Sequence, residues 1–239
     1  MIDMGIADLH VHSIYSFDGT ASIPQILERA CEAGLDIIAI TDHDSIRGAL
    51  QAAELAPRYD VQVLPGIEIS TAEGHLLGLS ISSLVPAGLS LIETVGCVGE
   101  LGGFCVAPHP TAAWMGKSAL SAYSIREALR DRDTARILIG IETYNATVMD
   151  RACNEAARIL AERSDIAQTG SSDAHVIGAI GLGATFFPGH SSQDLVAALW
   201  NGTTQVRRQP EWGAAHILGS WAAGYLKSKA TGLRPALAQ

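Results

Sequence analysis

The sequence predicts an α/β fold, a mostly parallel sheet flanked by helices and either open or closed into a barrel. Three observations carry that expectation. Short β-branched runs alternate with helical stretches along the chain, the pattern of β–α units sharing one sheet. The 239 residues match the size at which α/β barrels run as one domain. Hydrophobic residues make up 48% and charged residues 17%, so much of the chain is interior and global disorder is excluded. A chain of this length buries roughly three-quarters of its unfolded surface. Residues 1–229 are read as a single domain and 230–239 as a loose tail.

The elements follow in order. A first strand is predicted at 6–10 and a helix at 22–33, with Ser22 placed as its cap, Pro24 tolerated in the opening turn and Gly34 able to close it in a left-handed conformation. Strands at 36–41, 61–70, 75–81, 103–107, 137–143, 166–172 and 204–207 alternate with helices at 46–56, 89–101, 118–130, 150–163 and 191–200. Ser191 followed by Asp194 is a capping-box-like start for the 191–200 helix, with an acid at the positive end of its dipole. A last helix is predicted at 212–227, its apolar face of Trp212, Ile217, Trp221 and Tyr225 packed on the core. No internal repeat or low-complexity segment interrupts the series.

Charge and cysteine usage narrow the partners. The net charge of −9 argues against binding long nucleic acid or a membrane surface, which needs a basic footprint, but leaves room for a metal-lined pocket taking a small anion. There is no run of about 18 uncharged apolar residues to form a membrane span. The first residues lead at once into a strand, without a basic-then-apolar leader. Cys31, Cys97, Cys105 and Cys153 lack metal or redox spacing and are read as reduced thiols of a cytoplasmic protein.

The chemistry lies in where histidines and acids fall. Six of the eight histidines, His10, His12, His43, His75, His109 and His175, are read as sitting at or just after predicted strand ends, the edge where α/β folds build active sites. Strand alternation sends His10 and His12 to one face, and Asp173 and His175 likewise, so each pair can reach one metal or two adjacent ones. Chance alone gives about 0.3 His-x-His pairs in such a composition, so that pair by itself is weak. Asp173-x-His175, Asp42-His43 after an apolar strand, Glu68 at a strand end and His109 between two prolines make the set strong. His190 and His216 are read as surface residues. Asp42 and Asp44 could orient His43, or simply serve their loop, and Asp8 could hydrogen-bond a ligand residue.

Asp8-Leu9-His10-Val11-His12-Ser13, Phe17-Asp18-Gly19-Thr20 and Ile40-Thr41-Asp42-His43-Asp44 resemble the opening motifs of the polymerase and histidinol phosphatase (PHP) superfamily. Pro65-Gly66-Ile67-Glu68-Ile69-Ser70, Gly74-His75-Leu76-Leu77-Gly78, Ala107-Pro108-His109-Pro110 and Gly170-Ser171-Ser172-Asp173-Ala174-His175 continue the series in order. The resemblance spans about residues 6–200 and is greatest to the stand-alone metal-dependent phosphoesterases. It implies a distorted (β/α)7 barrel and a trinuclear centre. His10, His12, Glu68 and Asp173 would hold one metal; Glu68 would bridge to a second completed by His75 and His109; Asp18, His43 and His175 would hold the third. Glu68, Asp173 and His175 are the members read as catalytic.

A mixed imidazole and carboxylate set suits two or three divalent ions, Zn, Mn or Fe. Such ions acidify a bridging water and offset phosphate charge, which implies attack of a metal-bridging hydroxide on phosphorus. The expected substrate is a small phosphorylated molecule, nucleotide-like in class. Arg47 and Lys117 are the cations nearest to ligand motifs and candidates for holding the remaining phosphate charge; Tyr144 and Asn145 are candidates to line the pocket. Nucleotide-acting members of the superfamily carry a helical insertion between the His75 and His109 motifs. Here only the 33 residues 76–108 intervene, which implies a more open pocket. Alternatives are a nuclease acting on short oligonucleotide ends, a histidinol-phosphate phosphatase and a non-catalytic metal-binding scaffold. An amidohydrolase is disfavoured because Lys117, Lys227 and Lys229 do not end a central strand where a bridging carboxylated lysine would sit.

Overall fold

The computed structural model describes residues 3–112, 118–148, 150–208 and 214–230. In chain order the elements are β1 (Met4–Val11), α1 (Ile23–Glu32), β2 (Ile37–Ile40), α2 (Arg47–Leu55), β3 (Gln62–Ser70), β4 (His75–Leu79), α3 (Leu91–Glu100), β5 (Phe104–Ala107), α4 (Ala122–Ala128), α5 (Arg132–Ile137), β6 (Leu138–Asn145), α6 (Arg151–Ser164), β7 (Ala167–Ser171), β8 (Gly183–Pro188), α7 (Ser192–Trp200), β9 (Gln205–Arg208) and α8 (Ala214–Ala230). Gly34 closes α1 at φ +67°, and Ser191 with Asp194 forms the expected capping box of α7. Two elements go beyond the sequence reading. Strand β8 was not expected between its flanking glycines, and the short helix α5 occupies the run before β6.

One nine-stranded sheet runs in the order β7-β6-β5-β4-β3-β2-β1-β8-β9. β1–β3 are parallel and β5–β7 are parallel, while β4 is antiparallel to both of its neighbours. The sheet curls until its ends meet. His12 N–H donates to the Ala174 carbonyl just after β7 at 2.9 Å, and the Thr185 hydroxyl of β8 bridges the Gly170 backbone, accepting at 3.0 Å and donating at 2.9 Å. Gly183 makes this seam possible, since a Cβ there would lie 2.1 Å from the Ser171 carbonyl oxygen. The result is a single α/β domain with a nearly closed, distorted barrel of seven strands, extended by the antiparallel β8 and β9.

The core confirms the curl. Ala7, Leu9, Ile37, Ala39, Leu64, Leu77, Leu79, Phe104, Val106, Ile139, Ala167 and Phe187 come from eight strands yet form one cluster, closed by Leu195, Ala198 and Leu199 of α7. Residues from so many strands meet only inside a barrel. A larger apolar layer packs the sheet's outer face against α1–α4 and α6. The 212–227 reading is corrected here. Within α8, Trp221 and Tyr225 are half-buried and join neither cluster, so this helix is an outer element and not a core helix. Trp212 and the side chain of Ile217 lie outside what the structure describes.

Candidate metal centre

One mouth of the barrel gathers all nine residues singled out as ligands. Four groups of side-chain donors each lie within 4.8 Å of one another: His12, Asp18, His43 and His175; His10, His12 and Asp173; His10, Glu68 and His109; His43, Glu68 and His75.

Local backbone explains the convergence. Between Asp8 and Val11 the register of β1 against β2 slips, with Asp8 opposite Ile38 and Val11 opposite Ile40, so β1 carries one extra residue. That bulge inverts the side-chain phase and turns His10 and His12 inward, although Leu9 already points into the core cluster. His43 follows β2 in a bridge to Glu68, which brings the two side by side. Because β4 is antiparallel, its first residue and not its last stands at the mouth, and His75 pairs there with Ser70 at the end of β3. His109 and Asp173 adopt φ +29° and +52°. Non-glycine residues rarely adopt positive φ, and such strain concentrates at functional sites.

Glu68 is the hub. It is 1% exposed, with Oε2 3.2 Å from His10 Nε2, 3.3 Å from His12 Nε2 and 3.2 Å from His43 Nδ1, and Oε1 2.9 Å from His75 Nδ1 and 3.0 Å from His109 Nε2. Asp173 Oδ1 lies 3.2 Å from His12 Nε2 and 3.5 Å from both His10 Nε2 and His175 Nδ1. Asp18 Oδ2 lies 3.0 Å from His175 Nε2 and 3.4 Å from His43 Nε2.

The donor set fits divalent cations. The Nε2 atoms of His10 and His12 point at each other across 3.1 Å and converge on the same two carboxylates. Bare imidazole nitrogens crowded around shared carboxylates are arranged for a cation. Burial disfavours charge on His10, yet Asp173, Glu68 and Glu142 raise its proton affinity well above the usual histidine range. Burial also opposes ionisation of Glu68, but His10 and His43 hold it well below the carboxylate range. Burial and the neighbouring His175 press His12 down to about 3. The mouth thus demands positive charge, which protons supply on some imidazoles when metal is removed.

A pH dependence follows. Burial opposes charge on His43, but Glu68 and Asp18 raise its pKa from 6.5 to about 9. A raised histidine pKa stabilises the fold fully below the unfolded value and loses that contribution as pH rises through the folded value. The chelated protein is therefore expected to unfold at progressively lower temperature from about pH 6.5 to about pH 9. Added Mn²⁺ removes that decline, because the cation takes the place of the proton. A melting temperature that stays flat or rises across this window in the chelated sample contradicts the electrostatics.

A further acid completes the centre. Glu142, fully buried on β6, has Oε1 3.1 Å from His10 Nδ1, while Oε2 accepts from the His109 backbone N–H at 2.7 Å and from Asn145 Nδ2 at 2.8 Å. Asn145 also donates to Asp173 Oδ2 at 3.0 Å, and Thr147 Oγ1 to the same oxygen at 3.1 Å. A carboxylate on the far nitrogen of a ligating histidine fixes its ring and raises its basicity. The sequence analysis marks Tyr144 and Asn145 for the pocket and does not single out Glu142. Its signal was an acid buried in a strand that ends at the mouth.

Asp8 meets a ligand residue only through that residue's backbone: the Asp8 oxygens accept from the Ser172 and Gly181 N–H groups, both at 3.0 Å, and the His10 backbone N–H also stabilises the carboxylate. Asp42 accepts from the backbone N–H and hydroxyl of Ser13, and Asp44 from those of Ser70, so both tie loops together and neither bonds His43. Arg47 is exposed, with its guanidinium 5.1 Å over the Tyr15 ring. Lys117 lies outside the described residues. Tyr144 is buried beneath Arg208, 5.4 Å from its ring. His190 and His216 are exposed as expected, and His190 is paired with Asp3 and Asp36.

A barrel with this array at its mouth defines a class, the metal-dependent hydrolases built on an α/β barrel. The chain belongs to the PHP domain family, a family of metal-dependent phosphoesterases, whose profile matches residues 8–178. It is 36% identical over 161 residues to an uncharacterized protein of Methanocaldococcus jannaschii, covering 63% of this chain and 88% of that protein. It is 42% identical over 88 residues to the phosphoribosyl 1,2-cyclic phosphate 1,2-diphosphodiesterase of Eggerthella lenta, covering 34% of this chain and 33% of that enzyme. In fold it is similar to a two-domain Bacteroides vulgatus protein containing a predicted PHP-like metal-dependent phosphoesterase, with TM-score 0.72, 19% identity and coverage of 93% of this chain and 70% of that one. Among the described residues no helix is long and apolar enough to cross a membrane.

Proposed function

We propose that the protein hydrolyses phosphate esters of a small, nucleotide-like molecule, with His10, His12, Asp18, His43, Glu68, His75, His109, Asp173 and His175 holding two or three divalent ions. The observation that carries this reading is Glu68, one buried carboxylate within 3.3 Å of five imidazoles, the geometry of a bridge between cations. Zn, Mn or Fe bound there supplies a water acidified toward hydroxide and positive charge for phosphate oxygens. The chain's own residues do the rest. Glu142 and Asn145 hold His10, His109 and Asp173 rigid, so the donors need no rearrangement on binding. Asp18, His75 and His175, 17%, 16% and 20% exposed, are the members of the set most open to an arriving phosphate. The whole of residues 1–229 is read as the catalytic unit.

The kinship with a cyclic phosphodiesterase over the 88 aligned residues supports including diesters among the candidates. The test incubates Mn²⁺- or Zn²⁺-loaded protein with phosphomonoesters, a ribose cyclic phosphodiester, nucleotide bisphosphates and short oligonucleotides, reading free phosphate and nucleotide products together. Turnover of a small ester that disappears in Asp173→Asn supports the proposal. Activity confined to oligonucleotides favours the nuclease reading. A folded, metal-loaded protein that turns over none of them overturns hydrolysis of small phosphate esters.

A further inference from the structure

Helix α8 lies beyond the end of the family match at residue 178, yet it reaches back to the first loop of the centre. The Trp221 indole N–H donates to the backbone carbonyl of Asp18 at 2.9 Å. Gly224, one turn further on the same face, sits so close to Thr20 that a Cβ would lie 3.0 Å from its hydroxyl oxygen and 3.2 Å from its Cβ. Tyr225 stacks on Trp221 with ring centroids 5.2 Å apart and braces the indole.

The loop that receives α8 is also anchored at other points. Its ends are tied by Ile14 N–H to the Ala21 carbonyl at 2.9 Å, and by Thr20 N–H and Oγ1 to the His175 carbonyl at 3.1 and 2.7 Å. Gly19 is wedged against Ser13, where a Cβ would lie 2.0 Å from the carbonyl oxygen. On the side chain, Ser16 Oγ donates to Asp18 Oδ1 at 2.7 Å, leaving Oδ2 toward His175 and His43. Trp221 adds a tie from α8 at the carbonyl of the peptide that carries Asp18.

We propose that Trp221 is a positioning residue for the cation held by Asp18, His43 and His175, so that a helix beyond the residues matched by the family profile governs the occupancy of that one position. The inference rests on the metal-binding reading above, and its test needs no substrate. Mn²⁺ binding is measured by equilibrium dialysis on the full chain and on Trp221→Phe, which keeps an aromatic ring and loses the N–H. Gly224→Leu, Asp18→Asn and the Asp18→Asn/Trp221→Phe pair are measured alongside. Trp221→Phe is expected to weaken one Mn²⁺ about tenfold or more and leave the others unchanged, as loss of an outer partner of a ligand does. Gly224→Leu, which pushes the helix from Thr20, gives the same selective loss. The double variant loses no more than Asp18→Asn alone, a non-additivity that a merely structural role does not produce.

Wild-type Mn²⁺ binding in both helix variants, with the selective loss confined to Asp18→Asn, overturns the positioning role and leaves the proposed function intact. So does a uniform weakening of every site accompanied by a lower melting temperature. Unchanged binding in Asp18→Asn, or no Mn²⁺ binding by the unmodified chain, overturns the assignment of Asp18 and the positioning role together.

Discussion

Glu68→Gln is expected to lower kcat/KM for the best phosphate ester by about 10³-fold or more, with loss of bound metal. The substitution is nearly isosteric, so packing hardly changes. What changes is that a buried anion facing five imidazoles becomes a neutral amide whose nitrogen can only donate. Among the described residues neither neighbouring acid replaces it: Asp173 reaches His10, His12 and His175 but not His75 or His109, and the Glu142 oxygens are taken by His10 Nδ1, the His109 backbone N–H and Asn145. In the chelated protein the same change leaves raised-pKa histidines without their nearest counter-charge, and breaking such a buried pair costs about 3–5 kcal/mol. Metal content by elemental analysis, read beside kcat/KM, checks both effects. A glutamine variant that keeps its metal and stays within tenfold of the parent activity defeats the assignment of Glu68 as the bridge.

Asp8→Ala is expected to cost roughly 2–6 kcal/mol of stability, the price of leaving two buried N–H donors without acceptors at about 1–3 kcal/mol each. Asp8 is fully buried, and burial lifts its pKa to about 6. Its oxygens hold the Ser172 and Gly181 amides, one immediately before Asp173 and one in the connection to β8. Losing them frees the segment that keeps Asp173 at φ +52°, so activity falls along with stability. For a domain of this size the melting temperature drops on the order of 10 °C. Denaturant unfolding of the metal-loaded variant measures the change, with Asp8→Asn, which retains one carbonyl oxygen, intermediate. A cost under about 1 kcal/mol shows that the strand-to-loop tie is dispensable.

Legibility in the sequence followed the range of the interaction. The alternation of apolar runs with helical stretches located β1–β7 within a few residues, because burial of a strand or a helix face imprints its own period. Strand β8 escaped because it is bounded by glycine and proline and exists by antiparallel pairing with β1. His75, grouped by sequence with the histidines at strand ends, is the first residue of β4, and it reaches the mouth because β4 is antiparallel, a pairing choice made by β3 and β5. Simple alternation puts Asp8 on the same side as His10. The extra residue in β1 separates them, sending Asp8 to the Ser172 loop and His10 to Glu68.

Glu142 and Asn145 show the same limit. Alternation puts residues three apart on opposite faces, yet Asn145 Nδ2 bonds Glu142 Oε2 at 2.8 Å because β6 carries an extra residue between Glu142 and Tyr144 relative to β7. The Trp221 contact with Asp18 spans 203 positions, and within the sequence Trp221 reads as another apolar helix residue. By itself, then, the sequence determined the β/α order and the inventory of donors at strand ends, since both follow from local spacing and residue chemistry. Only the tertiary structure decided the phase of β1 and β6, the direction of β4 and the seat of α8. Bulges, strand polarity and helix docking are set by what a neighbouring element offers, and no periodicity within one segment encodes its neighbour.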